Sequence, residues 1–289
     1  MYQGIAAAKV NLTLDVKGRR PDGYHLLESV MQTLSLCDIV EVEPAARTTL
    51  SCDMPELSCA EDNLAWRAWA LLQKEYNLDA GVKITLHKQI PLGGGLAGGS
   101  SNAAQVLLAV NEIFALKLPP AKLIELAAQL GADVPFCLQG GTALACGIGE
   151  ELQPQSPCPE LRLVLVNPGF AVNTASVYAQ YDLNNNAPED RVGGKYSAST
   201  QSMLKALQSG TPAQIRENLF NVLEPPAFQL FPPLAALKQE LTALGLSALL
   251  CGSGATVMGI AADKKRAAIA ADKLQGKYPF VRAVTSQNF

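Results

Sequence analysis

The chain has 289 residues, of which 48% are apolar and 17% charged, and its formal net charge is −3. This composition describes a folded protein rather than a disordered one, with length for two medium domains or one large one. The slight acidity leaves no basic footprint for a nucleic-acid partner, and no apolar run is long enough to span a membrane.

Ala8 to Val16 alternates in polarity. Ala8, Val10, Leu12, Leu14 and Val16 share one face, while Lys9, Asn11, Thr13 and Asp15 share the other. This pattern predicts a strand with one solvated face. Lys17 to Gly23 (KGRRPDG) is a turn marked by Pro-Asp-Gly. Asp22-Gly23-Tyr24-His25 then opens a second strand, Leu26 to Leu36. On pattern alone Tyr24 is an edge aromatic and His25 a surface histidine. Ile39 to Glu43 and Thr48 to Cys52 read as short strands. Asn63 precedes an amphipathic helix, Ala65 to Tyr76, where it fits an N-terminal cap. Val82 to Ile90 has strand composition, with Val82, Ile84 and Leu86 on one face.

The chain is organised around Pro91 to Ala104, PLGGGLAGGSSNAA. Gly93, Gly94, Gly95, Gly98 and Gly99 crowd a short loop, followed by Ser100, Ser101 and Asn102. The apolar positions from Val106 to Phe114 go almost all the way round, which predicts a buried helix. The segment therefore reads as strand, glycine loop and helix N-terminus. Glycines let successive N–H groups point into one concavity, and the helix start adds unpaired donors and partial positive charge. This combination is a site for phosphate. A Walker A loop needs Lys before its Ser or Thr, and Gly99 stands there instead. Gly93, Gly95 and Gly98 match G-x-G-x-x-G, but the acidic partner at the end of a following strand is missing, since Glu112 falls inside the helix. The plain alternative is a glycine-rich turn with a serine cap. Five glycines followed by two hydroxyls favour the anion cradle.

After Pro119-Pro120 a helix through Leu123, Leu126 and Leu130 is expected to stop at Gly131. Asp133 follows in G-A-D-V-P-F, ordinarily a turn position, here flanked by Ala132, Val134 and Phe136. Gln139 to Glu150 reads as a strand with a tight turn. A connector rich in Pro, Ser and Gln lies at Gln153 to Glu160, and a buried strand runs from Leu161 to Val166. Asn173 to Ser176 leads into a helix carrying Tyr178, whose plain reading is core packing. Asn184 to Tyr196 is polar and reads as a loop. Helices are predicted at Thr200 to Gln208, Pro212 to Leu219, Leu234 to Leu244 and Lys264 to Gln275. Strands are predicted at Ser247 to Leu250, Thr256 to Ala261 and Phe280 to Val284. This order suits a ferredoxin-like module with extra helices. Cys251 to Ala255 joins two of its strands and on its own reads as a hairpin turn.

The order P-x-G-x-G-L-x-G-G-S-S-N-A-A resembles the ATP loop of the GHMP kinases, which include galacto-, homoserine, mevalonate and phosphomevalonate kinases. G-A-D-V-P-F and Cys251-Gly252-Ser253-Gly254 are similar to the second and third motifs of that family. R-x-D-G-Y-H resembles the branch that phosphorylates the 2-hydroxyl of a cytidyl diphosphate sugar alcohol in non-mevalonate isoprenoid precursor synthesis. Ala97 departs from the pattern, since that branch usually carries Gly there. The resemblance implies an α+β, two-domain GHMP-kinase fold. It has an N-terminal α/β domain over 1–155 and a C-terminal ferredoxin-like domain with extra helices over 156–289, with the active site in the cleft between them. It implies ATP, with phosphates on Gly93, Gly94, Gly95, Leu96, Gly98, Gly99, Ser100 and Ser101, and adenine near Asn63.

It further implies Asp133 as general base, with Lys9 and Asn11 beside the acceptor hydroxyl, where the lysine stabilises charge. Tyr24 and His25 would bind cytosine, an aromatic face stacking on the base and an imidazole bonding its edge, with Tyr178 covering the other side. Mg²⁺ is expected with ATP, and no acidic residue stands out as a dedicated ligand for it. The alternatives are another GHMP small-molecule kinase, of homoserine or phosphomevalonate type, and a nucleotide-binding sensor without catalysis. Tyr24-His25 argues against the first and the retention of Lys9 and Asp133 against the second.

The seven cysteines, Cys37, Cys52, Cys59, Cys137, Cys146, Cys158 and Cys251, contain no C-x-x-C pair. Such a scattered, odd set is expected as reduced thiols of a cytoplasmic protein. With only His25 and His87, no zinc site is expected. The chain enters strand-like sequence at once, so no signal or transit segment is expected. Neither a nucleic-acid nor a membrane partner is expected, and the oligomeric state is left open.

Overall fold

The computed structural model describes residues 1–185 and 197–288. The first elements in chain order are β1 (Tyr2–Arg19), β2 (His25–Ala45), β3 (Thr49–Cys52), α1 (Leu64–Tyr76), β4 (Gly81–His87), α2 (Gly98–Ile113) and α3 (Pro120–Leu130). Next come α4 (Val134–Gln139), β5 (Thr142–Cys146), β6 (Glu151–Pro154), β7 (Arg162–Asn167), α5 (Thr174–Asn185), α6 (Ala198–Ser209) and α7 (Pro212–Glu217). The chain ends with β8 (Phe220–Asn221), α8 (Glu224–Leu230), α9 (Pro232–Ala243), β9 (Ser247–Leu250), β10 (Val257–Ala261), α10 (Lys264–Leu274) and β11 (Phe280–Gln287). The polar stretch expected as a loop over 184–196 starts inside α5, and 186–196 lie outside the described residues.

Contacts group the chain into two compact units, neither continuous in sequence. The first comprises Met1–Ala8, Leu36–Leu92 and Ala97–Gln139; the second comprises Lys9–Ser35, Gly93–Leu96 and Gly140–Phe289. This grouping differs from a single cut at residue 155. The reason is pairing across that point, for β5 is antiparallel to β2 through Ser29↔Ala145 to Gln32↔Thr142. The connector is also bonded in place, the Cys158 N–H donating to Thr142 Oγ1 at 3.1 Å.

In the first unit the C-terminal part of β2 runs antiparallel to β4, from Ile39↔His87 to Ala45↔Gly81, and β3 runs parallel to β4. Val82, Ile84 and Leu86 are fully buried with Val40 and Val42, as the alternation predicts. Trp69 and Leu72 of α1, Val106, Leu107 and Val110 of α2 and Leu126 of α3 complete this core. Asn63 caps α1, its Oδ1 accepting from the Ala65 N–H at 2.9 Å. Two expectations change here. β2 is one long strand where two were expected, because Asp38 in its middle finds full hydrogen-bonding partners and does not interrupt it. Residues 134–139 form a short helix, with Pro135 in its first turn, where the missing N–H costs nothing.

In the second unit β9, β10, β7 and β11 lie side by side and all antiparallel. Taken as strands one to four of a split module (β7, β9, β10, β11), their spatial order is 4-1-3-2, the ferredoxin-like arrangement expected. The extra helices between β7 and β9 include α8, which the sequence did not announce. It starts at Glu224 with Pro225 and Pro226 in the first turn. Tyr181, Val177, Leu234, Leu237, Val164 and Val166 lie in the core of this unit. β8 adds a short parallel pairing to β1 at Thr13↔Phe220 and Leu14↔Asn221. Among the described residues no helix is long and apolar enough to cross a membrane.

Candidate active site

The glycine loop obeys its local chemistry. Gly93 and Gly95 adopt φ of 59° and 74°, a region open to glycine. At Gly95 space is also decisive, for a Cβ there would stand 2.1 Å from the Cys251 carbonyl oxygen. The Cys251–Gly254 turn is therefore pressed against the loop, and the Thr256 N–H donates to Gly94 O at 3.3 Å. The two glycine motifs, far apart in sequence, form one packed feature of the second unit. Burial pushes the Cys251 thiol up to about 12 against the opposing pull of the Lys9 charge, so it stays a neutral packing group.

The helix α2 begins at Gly98, and the Ser101 N–H makes its first return bond, to Ala97 O at 2.9 Å. The N–H groups of Gly98, Gly99 and Ser100 precede that bond, and no acidic side chain occupies the first turn. Gly99 is exposed and Ser100 half-buried, whereas Ser101 is 1% exposed. Of the two hydroxyls, Ser100 is the accessible one. Leu64, next to Asn63, reaches within 3.7 Å of the position of a Gly99 Cβ, so the start of α1 borders the start of α2.

Beneath this turn lies a buried charge cluster that sequence reasoning missed. The Lys88 and Asp38 side chains are 1% and 0% exposed and form an ion pair through Lys88 Nζ and Asp38 Oδ2. Lys88 also donates to Asn102 Oδ1 at 2.9 Å, and Asn102 Nδ2 donates to Asp38 Oδ2 at 2.9 Å. The Gln89 and Ile90 N–H groups donate to Asp38 Oδ1 at 2.7 and 2.8 Å. One carboxylate thus fixes both the chain entering the loop and the first turn of α2. Its signal was present: an acid inside the apolar run Leu36-Cys37-Asp38-Ile39-Val40 has no solvated face to sit on.

At Ala97, as at Ala115 and Lys117, the local conformation opposes the chemistry of the residue. Ala97 caps α2 at φ 59°, ψ 29°, a left-handed geometry that costs a Cβ-bearing residue about 1–2 kcal/mol. Glycine loses more entropy on folding, which returns about 0.5–1 kcal/mol of that gain. Ala97→Gly is therefore expected to stabilise the protein by about 0.5–1 kcal/mol in urea unfolding; a destabilised variant would contradict this account.

Lys9 and Asn11 come together on β1, both almost fully buried, with Lys9 Nζ donating to Asn11 Oδ1 at 3.0 Å. The strand face expected to be solvated is therefore buried. Asn11 Nδ2 donates to Ser29 Oγ at 2.7 Å, and Ser29 Oγ donates to Thr13 O at 2.6 Å. Ser29, unremarked in the sequence, thus sets which end of the Asn11 amide faces the lysine. The Lys9 N–H donates to Leu96 O at 3.1 Å, anchoring the ammonium-bearing residue to the glycine loop. Asp133 is half-buried in the first unit between the end of α3 and the start of α4, its carbonyl accepting from the Cys137 N–H at 3.1 Å.

His25 and Tyr178 also come together. Their rings stack with centroids 4.7 Å apart at 26°, and Tyr181 meets His25 edge-on at 6.2 Å. His25 Nε2 lies 2.7 Å from Asp182 Oδ1, and Arg19 Nη1 lies 3.2 Å from Asp182 Oδ2. Tyr24 is 61% exposed at the surface. Asp182 was not foreseen, although its place one turn after Tyr178 on α5 puts both on one face.

The chain is similar to known proteins over nearly its whole length. The GHMP kinases N terminal domain model matches residues 63–141 and the GHMP kinases C terminal model matches residues 203–279. The 4-diphosphocytidyl-2-C-methyl-D-erythritol kinase of Pelotomaculum thermopropionicum is 45% identical over 266 residues, 91% of this chain and 90% of that protein. The enzyme of the same name from Moorella thermoacetica is 44% identical, covering 95% of each chain. A crystal structure of 4-(cytidine 5'-diphospho)-2C-methyl-D-erythritol kinase is 38% identical, with a TM-score of 0.81 over the full length of both chains. Mevalonate kinase from L. major, at 19% identity and a TM-score of 0.77, shares the fold.

Proposed function

This chain belongs to the GHMP kinases, within them to the 4-diphosphocytidyl-2-C-methyl-D-erythritol kinases, and from that premise we propose how its residues divide the work of phosphoryl transfer. It is an ATP-dependent small-molecule kinase that phosphorylates the 2-hydroxyl of 4-diphosphocytidyl-2-C-methyl-D-erythritol. The observation that carries the acceptor assignment is identity spread over nearly the whole of both chains, in a chain that carries the D-G-Y-H segment.

In our reading the amides of Gly93 to Gly99 and the first turn of α2 receive the ATP phosphates, with Ser100 reaching them from the helix start. Ser101 supports that turn from within, and Asn63 borders the adenine. Asp133 accepts the proton of the acceptor hydroxyl, while Lys9, held by Asn11, stabilises the oxygen as charge develops. The oxygen then attacks the γ-phosphorus in line, a step in which placement and charge neutralisation dominate. Tyr24, His25 and Tyr178 hold the cytosine and so place the hydroxyl. Among the described residues no group of three or more His, Cys, Asp or Glu is arranged to hold a metal ion. Mg²⁺ brought with ATP keeps several waters and takes few protein ligands, and Ser100 would be the residue to touch it. When bound it neutralises charge on the phosphates. We read the seven free thiols as those of a cytoplasmic enzyme.

The test is ADP release by the purified protein with MgATP, offering 4-diphosphocytidyl-2-C-methyl-D-erythritol, homoserine, phosphomevalonate and galactose side by side. Turnover with the cytidyl substrate alone is expected. Turnover with another acceptor would sink the cytosine reading while leaving Asp133 and the loop in place.

A further inference from the structure

Asp182 can do something to His25 that no sequence motif specifies. A carboxylate has only acceptor positions, so a 2.7 Å contact between Asp182 Oδ1 and His25 Nε2 requires the imidazole proton on Nε2. The neutral ring then carries its lone pair on Nδ1, and that nitrogen is an acceptor. The ring cannot easily turn over to exchange its two nitrogens. Its side chain is only 9% exposed, its face is stacked on Tyr178 and its edge meets Tyr181. All three contacts come from α5, where Tyr178 and Asp182 stand four residues apart and Tyr181 three from Tyr178.

At C4 cytosine carries an amino donor and uracil a carbonyl acceptor, while at the adjoining N3 cytosine accepts and uracil donates. An acceptor nitrogen that faces C4 attracts the cytosine amino group and repels the uracil carbonyl. Resting on the reading that His25 meets the pyrimidine, we propose that Asp182 is the positioning residue that fixes the His25 tautomer and thereby sets the preference for a cytidyl over a uridyl substrate.

Arg19 makes the proposal testable by a nearly isosteric change. Its guanidinium faces Asp182 Oδ2 at 3.2 Å and donates only. In Asp182→Asn the amide oxygen is drawn to Arg19, which turns the NH₂ group toward His25 Nε2. Nε2 must then accept, the proton moves to Nδ1, and the nitrogen offered to the base becomes a donor.

The experiment is steady-state kinetics of the full-length enzyme with the cytidyl substrate and its uridyl counterpart. Asp182→Asn is expected to lower the cytidyl-to-uridyl ratio of kcat/KM by about tenfold or more, chiefly through KM. Saturating kcat on the cytidyl substrate stays within about threefold and KM for ATP is unmoved, whereas a general structural defect would disturb all of these. Asp182→Glu, which keeps an acceptor-only side chain, is expected to retain most of the preference. If His25→Ala loses the preference while Asp182→Asn keeps it, Asp182 has no such role although the pocket stands. If His25→Ala leaves both KM and preference unchanged, the cytosine reading itself fails. Nitrogen-15 imidazole spectra of the wild type give a check that needs no variant, since the chain has two histidines. An Nε2–H tautomer at His25 supports the proposal and an Nδ1–H tautomer overturns it.

Discussion

Asp133→Asn is expected to lower kcat by about 10²–10⁴-fold, the range associated with a positioned proton acceptor. The substitution preserves shape and removes the charge, so it tests chemistry rather than packing. Asp133 lies between the end of α3 and the start of α4, and its backbone carbonyl, not its side chain, accepts the helical bond from Cys137. The short helix therefore survives the change. Because phosphoryl transfer passes through a loose transition state, little proton transfer is needed early, and a result near the lower end of that range is consistent with an anion that mainly orients the hydroxyl. ATP affinity, measured by calorimetry, is expected to be unchanged, so that kcat and kcat/KM for the acceptor fall together. Turnover within a few-fold of the wild type would remove Asp133 from the catalytic assignment.

Lys88→Met is expected to destabilise the protein by about 3–5 kcal/mol, because it strips the partner from a fully buried carboxylate. Asp38 would keep its bonds from Gln89, Ile90 and Asn102, but not the positive charge beside it. Methionine fills much the same volume, so the loss reads out charge rather than a cavity. Urea unfolding measures it. Removing the other partner as well, in Lys88→Met with Asp38→Asn, is expected to recover part of the loss, since an uncompensated charge no longer remains. A single-variant loss below about 1 kcal/mol would mean that the three hydrogen bonds alone satisfy Asp38. The glycine loop should feel the same change, because Lys88 Nζ lies 3.2 Å from the position of a Gly98 Cβ.

Much of the molecule was legible because its signals are local. The alternation of Val82, Ile84 and Leu86 marked a half-buried strand, the all-round apolar run after Asn102 marked a buried helix, and Gly131 marked a helix stop. The strand and helix order after residue 160 was enough to give the ferredoxin-like arrangement. Ala97 stood out as an anomaly before its left-handed backbone explained it. The failures share a cause. A break was read at Cys37-Asp38 because an acid in a strand looks like an interruption, and the face carrying Lys9 and Asn11 was read as solvated because it is polar. Both readings assume that polarity means water.

The sequence by itself therefore determined the fold class and the succession of strand, glycine loop and buried helix, patterns within a few turns of chain. Only the tertiary structure decided that Lys9 and Asn11 are buried, that Asp38 is held by Lys88 and Asn102, and that His25 meets Asp182, 157 residues away. Periodicity reports which face a residue occupies. What stands opposite that face depends on strand order and helix packing, and no local pattern encodes it.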